Sequence, residues 1–252
     1  MGMMGDALTH LKDHAQPIPV ILPLARPQAS PAAPRPSALA PPERFAFPEL
    51  PDTPEPLPAG RAPQAIWPES PGAEIAAACA NMAEGILRQL PTGPGRVAAF
   101  TSPGDGDGKT SLVIALAPHL ARCAKGGVLA VDLNSHKPSL AARVRMPAGQ
   151  PADGSPLIYP TNVPQLSFLA AAPARPLRCL DRSWIEELRQ GWSLVLLDLA
   201  SLAHAEVAPL AGCCDGVYLV VRLGYTSRSA VAAAARVIRG AGGRLLGCAV
   251  VG

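Results

Sequence analysis

The segment Phe100-Thr-Ser-Pro-Gly-Asp-Gly-Asp-Gly-Lys-Thr110 places glycines, a lysine and a hydroxyl residue at the spacing a phosphate site needs. Glycine adopts the backbone angles that turn successive N–H groups inward around phosphate oxygens. A helix following such a loop aims its positive dipole end at the same anions. Lys109 would reach the β- and γ-phosphates, and the Thr110 hydroxyl would ligate Mg²⁺. The residues in line to hold the ligand are Gly104, Asp105, Gly106, Asp107, Gly108, Lys109, Thr110 and Ser111. The strict pattern wants a glycine where Pro103 stands, so this is a relaxed P-loop. A glycine-rich hairpin with an incidental Lys-Thr would share the composition. It would not require the apolar run Val97–Phe100 before the loop or the helical pattern after it.

A P-loop alone binds phosphate; hydrolysis or transfer also needs acidic groups for Mg²⁺ and the attacking oxygen. Two apolar strands end in such groups, Ala130-Val-Asp132 and Leu196-Leu-Asp198. The carboxyl ends of parallel strands open onto the ligand crevice, so both aspartates are candidates for catalysis and, with Thr110, for Mg²⁺. Strand-ending aspartates that merely cap the next turn are the plainer alternative.

These residues have to be positioned by alternating strands and helices. Ser70-Pro71 reads as an N-cap and first helical position, opening a helix to about Leu90. Strands are expected at 96–102, 127–133, 166–170, 192–198, 216–222 and 244–251, with helices from Lys109, over 181–190 and over 227–240. Pro118 predicts a kink or early break near Ala117, because an interior proline removes a backbone bond and costs about 3 kcal/mol. The stretch 146–164 reads as loop. Unbroken apolar strands alternating with helices predict an α/β class, a doubly wound and mainly parallel sheet of the P-loop NTPase kind.

More than half of the 30 prolines precede residue 72, which predicts a disordered Pro/Ala-rich tail. The organisation expected is a short amphipathic helix over 1–14, a Pro-rich linker over 15–70 and one P-loop domain over 71–252. His10 and His14 lie one turn apart, but no Glu follows His10, so a solvated face or docking peptide is favoured over a metal site. The net charge of +3 shows no Lys/Arg cluster and gives nucleic-acid binding no electrostatic footprint. No apolar run approaches the length of a membrane span, and 17–25 is a poor signal peptide, so a cytoplasmic protein is expected. The six cysteines lack a C-x-x-C pair and read as buried thiols.

Val128-Leu-Ala-Val-Asp-Leu-Asn-Ser-His-Lys-Pro-Ser-Leu140 resembles the second Walker-type motif (A′) of the bacterial tyrosine autokinases that control capsule and exopolysaccharide export. Asn162-Val-Pro-Gln-Leu-Ser-Phe-Leu-Ala-Ala, Cys214-Asp-Gly-Val-Tyr-Leu-Val-Val-Arg-Leu-Gly-Tyr-Thr226 and Gly243-Arg-Leu-Leu-Gly-Cys-Ala-Val-Val resemble later segments of the same family. Those kinases are related to the partitioning and division-site ATPases. The resemblance spans about 72–252 and implies ATP and Mg²⁺ as cofactors. It also implies Lys109 and Thr110 on MgATP, Asp132 activating the acceptor or the metal, and Asp198 as the Walker B acid. The implied partner is an inner-membrane polysaccharide chain-length regulator, which would hold the chain at the inner face of the membrane.

The departures point to a degenerate member. Asn134 replaces the second Asp of the A′ motif, and an amide cannot accept a proton as a base. The Glu-x-x-Arg-x-x-Arg helix used for ring assembly is reduced to Glu74 with Ala77 and Ala80, which leaves a homo-oligomer open. The Asp-x-Pro-Pro after Walker B is Asp198-Leu-Ala-Ser201, and Val251 stands where an adenine-contacting Asn is expected. The tyrosines are Tyr159, Tyr218 and Tyr225, so no tyrosine cluster closes the sequence. Two further readings stand beside an ATPase or kinase: a nucleotide-binding adaptor and a partitioning-type ATPase. The latter is ranked last because Gly104 occupies the place of its bridging Lys.

Overall fold

The computed structural model describes residues 64–69, 72–134, 140–146, 158–170 and 182–252, and the backbone of Ile21–Pro23. The elements are β1 (Ile21–Pro23), α1 (Ala73–Gln89), β2 (Arg96–Thr101), α2 (Lys109–Cys123), β3 (Val128–Leu133), α3 (Leu140–Arg143) and β4 (Ile158–Pro160). There follow β5 (Leu166–Ala170), α4 (Arg182–Arg189), β6 (Leu194–Leu199), α5 (Val207–Ala211), β7 (Gly216–Arg222), α6 (Arg228–Gly240) and β8 (Leu245–Val251). The sheet order is β1-β8-β7-β2-β6-β3-β5-β4. Only its two edges, β1 on β8 and β4 on β5, are antiparallel.

Every residue of β3 and β6 is buried, as unbroken apolar strands in a sheet covered on both faces should be. One face packs α1 and α2 against Phe100, Ala130, Leu196 and Tyr218. The other packs α4, α5 and α6 against Val97, Val131, Leu197 and Leu219. The expected doubly wound α/β fold is therefore present. Phe100 and Tyr218 stack with ring centroids 5.5 Å apart, and the Tyr218 hydroxyl donates to Gln89 Oε1 at 2.9 Å. Ser227 caps α6 by accepting the Ala230 N–H at 3.2 Å.

Three expectations need correction. Helix α1 begins at Ala73 behind Gly72, which offers no side-chain cap, so the start placed at Ser70-Pro71 is too early. Tyr159, expected in a loop, lies in β4 and is buried. Helix α2 does not break near Ala117 but runs through Pro118 to Cys123. Proline removes the N–H that would have bonded the carbonyl of Ile114. The Trp67 indole Nε1–H donates to that carbonyl at 3.1 Å instead, so the acceptor is satisfied and the helix continues.

Trp67 belongs to the packed core although it lies inside the stretch 15–70 assigned to the linker. It is 1% exposed and meets Phe168 edge-on at 6.2 Å. Its neighbours are tied on both sides: Ala65 N–H donates to Pro160 O at 2.9 Å, and Ile66 exchanges two backbone bonds with Arg145. Further upstream, Ile21–Pro23 pairs with Gly247–Ala249 of β8. The helix expected over 1–14, with His10 and His14, lies outside the described residues. Cys79, Cys123, Cys213, Cys214 and Cys248 are free thiols, and Cys179 lies outside the described residues. No described helix is long and apolar enough to cross a membrane.

At the amino end of the strands, Arg189 clamps three elements. Its guanidinium donates to Asp215 Oδ2 at 2.6 Å, to Asp215 Oδ1 at 3.2 Å and to Gly95 O at 2.7 Å, while Asp215 Oδ2 accepts Val97 N–H at 2.7 Å. Asp215→Ala strands a largely buried guanidinium and a strand N–H, a cost of about 3 kcal/mol. Thermal denaturation should show a melting temperature lower by about 6–12 °C. A change under 2 °C would show, on the same scale, that the clamp adds nothing.

Candidate nucleotide-phosphate site

The loop between β2 and α2 has the conformation its glycines permit. Gly106 and Gly108 lie at φ of +85° and +89°, where a side chain would be strained. A Cβ on Gly108 would also meet Val251 Cγ2 at 2.9 Å. The loop is braced from within by Asp107, 2% exposed, whose Oδ2 accepts Gly104 N–H at 3.1 Å and whose Oδ1 accepts the Thr226 hydroxyl at 2.7 Å. The Asp107 side chain thus shapes the loop rather than facing a ligand. Lys109 lies at the start of α2, buried, with Nζ donating to Ser102 Oγ at 2.9 Å. Ser111, the last of the eight, is exposed and accepts Arg143 Nη1 at 2.8 Å.

The structure brings Thr110 and Asp198 together: the Thr110 hydroxyl donates to Asp198 Oδ2 at 2.7 Å. Asp198 is 0% exposed, and its other oxygen, Oδ1, has no hydrogen-bond partner. Burial pushes its carboxyl up to about 7, against the Thr110 hydrogen bond and with added repulsion from Asp132. Asp132 faces Asp198 across the β3–β6 ladder. Its two oxygens are engaged, Oδ1 by Asn134 N–H at 3.0 Å and Oδ2 by Ala141 N–H at 2.7 Å. Burial raises its carboxyl, and those backbone donors oppose the rise. Asp132 thus accepts from Asn134 and from Ala141 in α3, and sits beside Asp198 in the sheet.

Among the described residues no cluster of three or more His, Cys, Asp or Glu could form a metal cage. The buried, unsatisfied Asp198 Oδ1 beside the Thr110 hydroxyl nonetheless suits a hard divalent cation, which takes oxygen ligands. Without a cation, ionised Asp198 is a burden on the fold. Its carboxyl titrates higher folded than unfolded, so the stability it contributes is present below the unfolded value and lost as pH climbs through about 7. Asp198→Asn removes that loss. Ligand-free Asp198→Asn should melt several degrees above wild type at pH 8, with the gap closing toward pH 5. Equal melting at both pH values would contradict the assignment.

Two residues at this end escaped the sequence reading. His204 and Ser201, in the loop after β6, lie next to Asp105, with His204 Nε2 3.6 Å from Asp105 Oδ2. The signal that could have found them is their place just past the carboxyl end of a central strand. On the other side of the loop opens a cavity of about 780 Å³, lined by Gly106, Gly108, Val251, Ile75, Cys79 and Arg222.

No protein-family model matches the sequence, and no curated protein matches it significantly. Solved structures do match the fold. The kinase domain of Escherichia coli tyrosine kinase ETK superposes with a TM-score of 0.58 at 16% identity, over 71% of this chain and 76% of that one. The chimerical protein CapA2B2 gives 0.61 at 20% identity, over 73% and 86%. The VpsO kinase domain gives 0.57 at 21% identity, over 70% and 93%. At these identities the likeness is one of fold, shared with the kinase domains of ETK and VpsO.

Proposed function

We propose that the chain binds MgATP at residues 104–111 and cleaves or transfers its γ-phosphate, in the manner of the capsule and exopolysaccharide tyrosine autokinases. The observation that carries this reading is the Thr110–Asp198 pair with its unsatisfied carboxylate oxygen, at the foot of a glycine loop that ends in Lys109. The fold shared with the kinase domains of ETK and VpsO supports it. Backbone N–H groups of the loop bind the phosphates, and Lys109 exchanges its Ser102 partner for them and neutralises charge in the transition state. Thr110 and Asp198 would hold Mg²⁺, which when bound would offset the charge of the phosphates. The cavity beside Gly108 is where the base and ribose would lie, against Val251. An inner-membrane chain-length regulator as partner, a place at the cytoplasmic face and a homo-oligomeric state belong to the same proposal.

A second reading, a catalytically weakened nucleotide-binding adaptor, has one specific observation in its favour. Both oxygens of Asp132 are held by backbone donors, and Asn134 supplies no replacement base. The test is MgATP turnover by wild type beside Asn134→Asp. Measurable wild-type turnover that rises in Asn134→Asp fits an attenuated enzyme. Nucleotide binding with no turnover in either protein moves the chain to the adaptors.

A further inference from the structure

The loop after β6 is tied to the start of the P-loop. Leu202 N–H donates to Ser102 O at 2.8 Å, and the Thr101 hydroxyl donates to Ala200 O at 2.8 Å. From this fixed base His204 brings Nε2 to 3.6 Å from Asp105 Oδ2. Ser201 Oγ, in a residue 0% exposed, has no well-aligned partner among the described residues, yet it lies close enough to Asp105 to be the main influence holding that carboxyl below the usual range. The charges of Lys109 and His204 act in the same sense, against the opposing effect of burial.

A phosphate loop recruits a polyanion, and a carboxylate within it has the same sign as the ligand. Here that carboxylate lies among a hydroxyl, an imidazole and a lysine, groups that suit an oxyanion. The two acids of the loop differ in freedom. Asp107 is buried with both oxygens bonded, so it stays in place. The Asp105 side chain is 46% exposed and can swing toward solvent. We propose that Asp105 stands in, in the nucleotide-free chain, for the terminal phosphate of a nucleoside triphosphate, and that Ser201 and His204 receive that phosphate when the carboxylate yields. This rests on the MgATP reading and adds to it how the site tells a triphosphate from a diphosphate.

The two kinds of substitution should act with opposite signs. Asp105→Asn removes the competing charge and favours the triphosphate, whereas His204→Ala and Ser201→Ala remove its acceptors. The experiment is calorimetric titration of the full chain, in Mg²⁺, with ADP and with a non-hydrolysable β,γ-imido ATP analogue. Asp105→Asn should tighten the analogue several-fold more than it tightens ADP, and His204→Ala should weaken the analogue about tenfold with ADP affinity unchanged within about twofold. His204→Gln, which keeps an N–H donor, should recover part of the loss. Asp105→Asn alters an exposed side chain, so its result stands even if a buried-loop variant folds poorly. Variants that shift ADP and the analogue equally, or an Asp105→Asn chain that binds the analogue more weakly, overturn the inference while leaving the MgATP reading intact. A wild-type chain that binds neither nucleotide overturns both.

Discussion

Trp67→Ala should lower the melting temperature by about 10–20 °C, a larger effect than any other single change considered for this fold. Deleting a fully buried tryptophan costs about 3–5 kcal/mol in lost burial and cavity. The change also leaves Ile114 O, the acceptor orphaned by Pro118, without a donor, at about 1–3 kcal/mol more. Trp67→Phe separates the two contributions. It keeps much of the packing on Phe168 and loses only the indole N–H, so it should cost about 1–3 kcal/mol beyond the loss of volume. Trp67→Phe/Pro118→Ala restores a backbone donor and should recover most of that cost. Thermal melts followed by circular dichroism read all three variants. An unchanged midpoint for Trp67→Ala would mean that the 65–67 segment is not part of the core. The same reasoning predicts that a chain cut at residue 72 is far less stable than one cut at 64, because only the first loses Trp67.

Lys109→Ala should abolish turnover, with a fall of at least about 10³-fold in kcat if the wild-type chain is active. Lys109 is buried at the start of α2 and directed across the loop onto Ser102. Its loss removes a charge-assisted contact to the phosphates, and nucleotide affinity should fall about tenfold or more as well. Asp198 remains in the variant, so Mg²⁺ binding is expected to suffer less than phosphate binding. Turnover that survives Lys109→Ala would place the active site elsewhere. Asn134→Asp should move activity in the opposite direction, because it adds a carboxylate beside Asp132, whose own oxygens are taken by Asn134 and Ala141 N–H groups.

Elements with long apolar runs were legible in the sequence. The strands β2, β3, β5, β6, β7 and β8 fall within two residues of their expected bounds, and α2 starts at Lys109 as expected, because burial on both faces leaves a continuous apolar text. The short elements were not. Strand β4 and helices α3 and α5 are three to five residues long, too short for any period to show. Pro118 misled because local propensity says nothing about a donor 47 positions away in sequence. Trp67 was assigned to the tail because proline density masked one aromatic anchor at its end. The site shows the same division. Residues joined by a local motif, Gly108-Lys109-Thr110, were legible, and the Thr110–Asp198 pair followed from strand-end logic. The Asp105–Ser201–His204 group depends on two loops meeting at the carboxyl edge of the sheet, which no spacing encodes. The double engagement of Asp132 was visible only as the alternative that a strand-ending aspartate caps the next turn, and the structure adds Ala141 as its second donor.

The Thr110–Asp198 pair and the loop above it should form a Mg²⁺-dependent triphosphate site. The most direct measurement is calorimetric titration of the full chain with ATP, with Mg²⁺ and with EDTA, beside Asp198→Ala. Binding should be saturable, strengthen at least about tenfold with Mg²⁺ in wild type and lose that gain in Asp198→Ala. ATP binding that is indifferent to Mg²⁺ and to Asp198, or no binding at all, would contradict it.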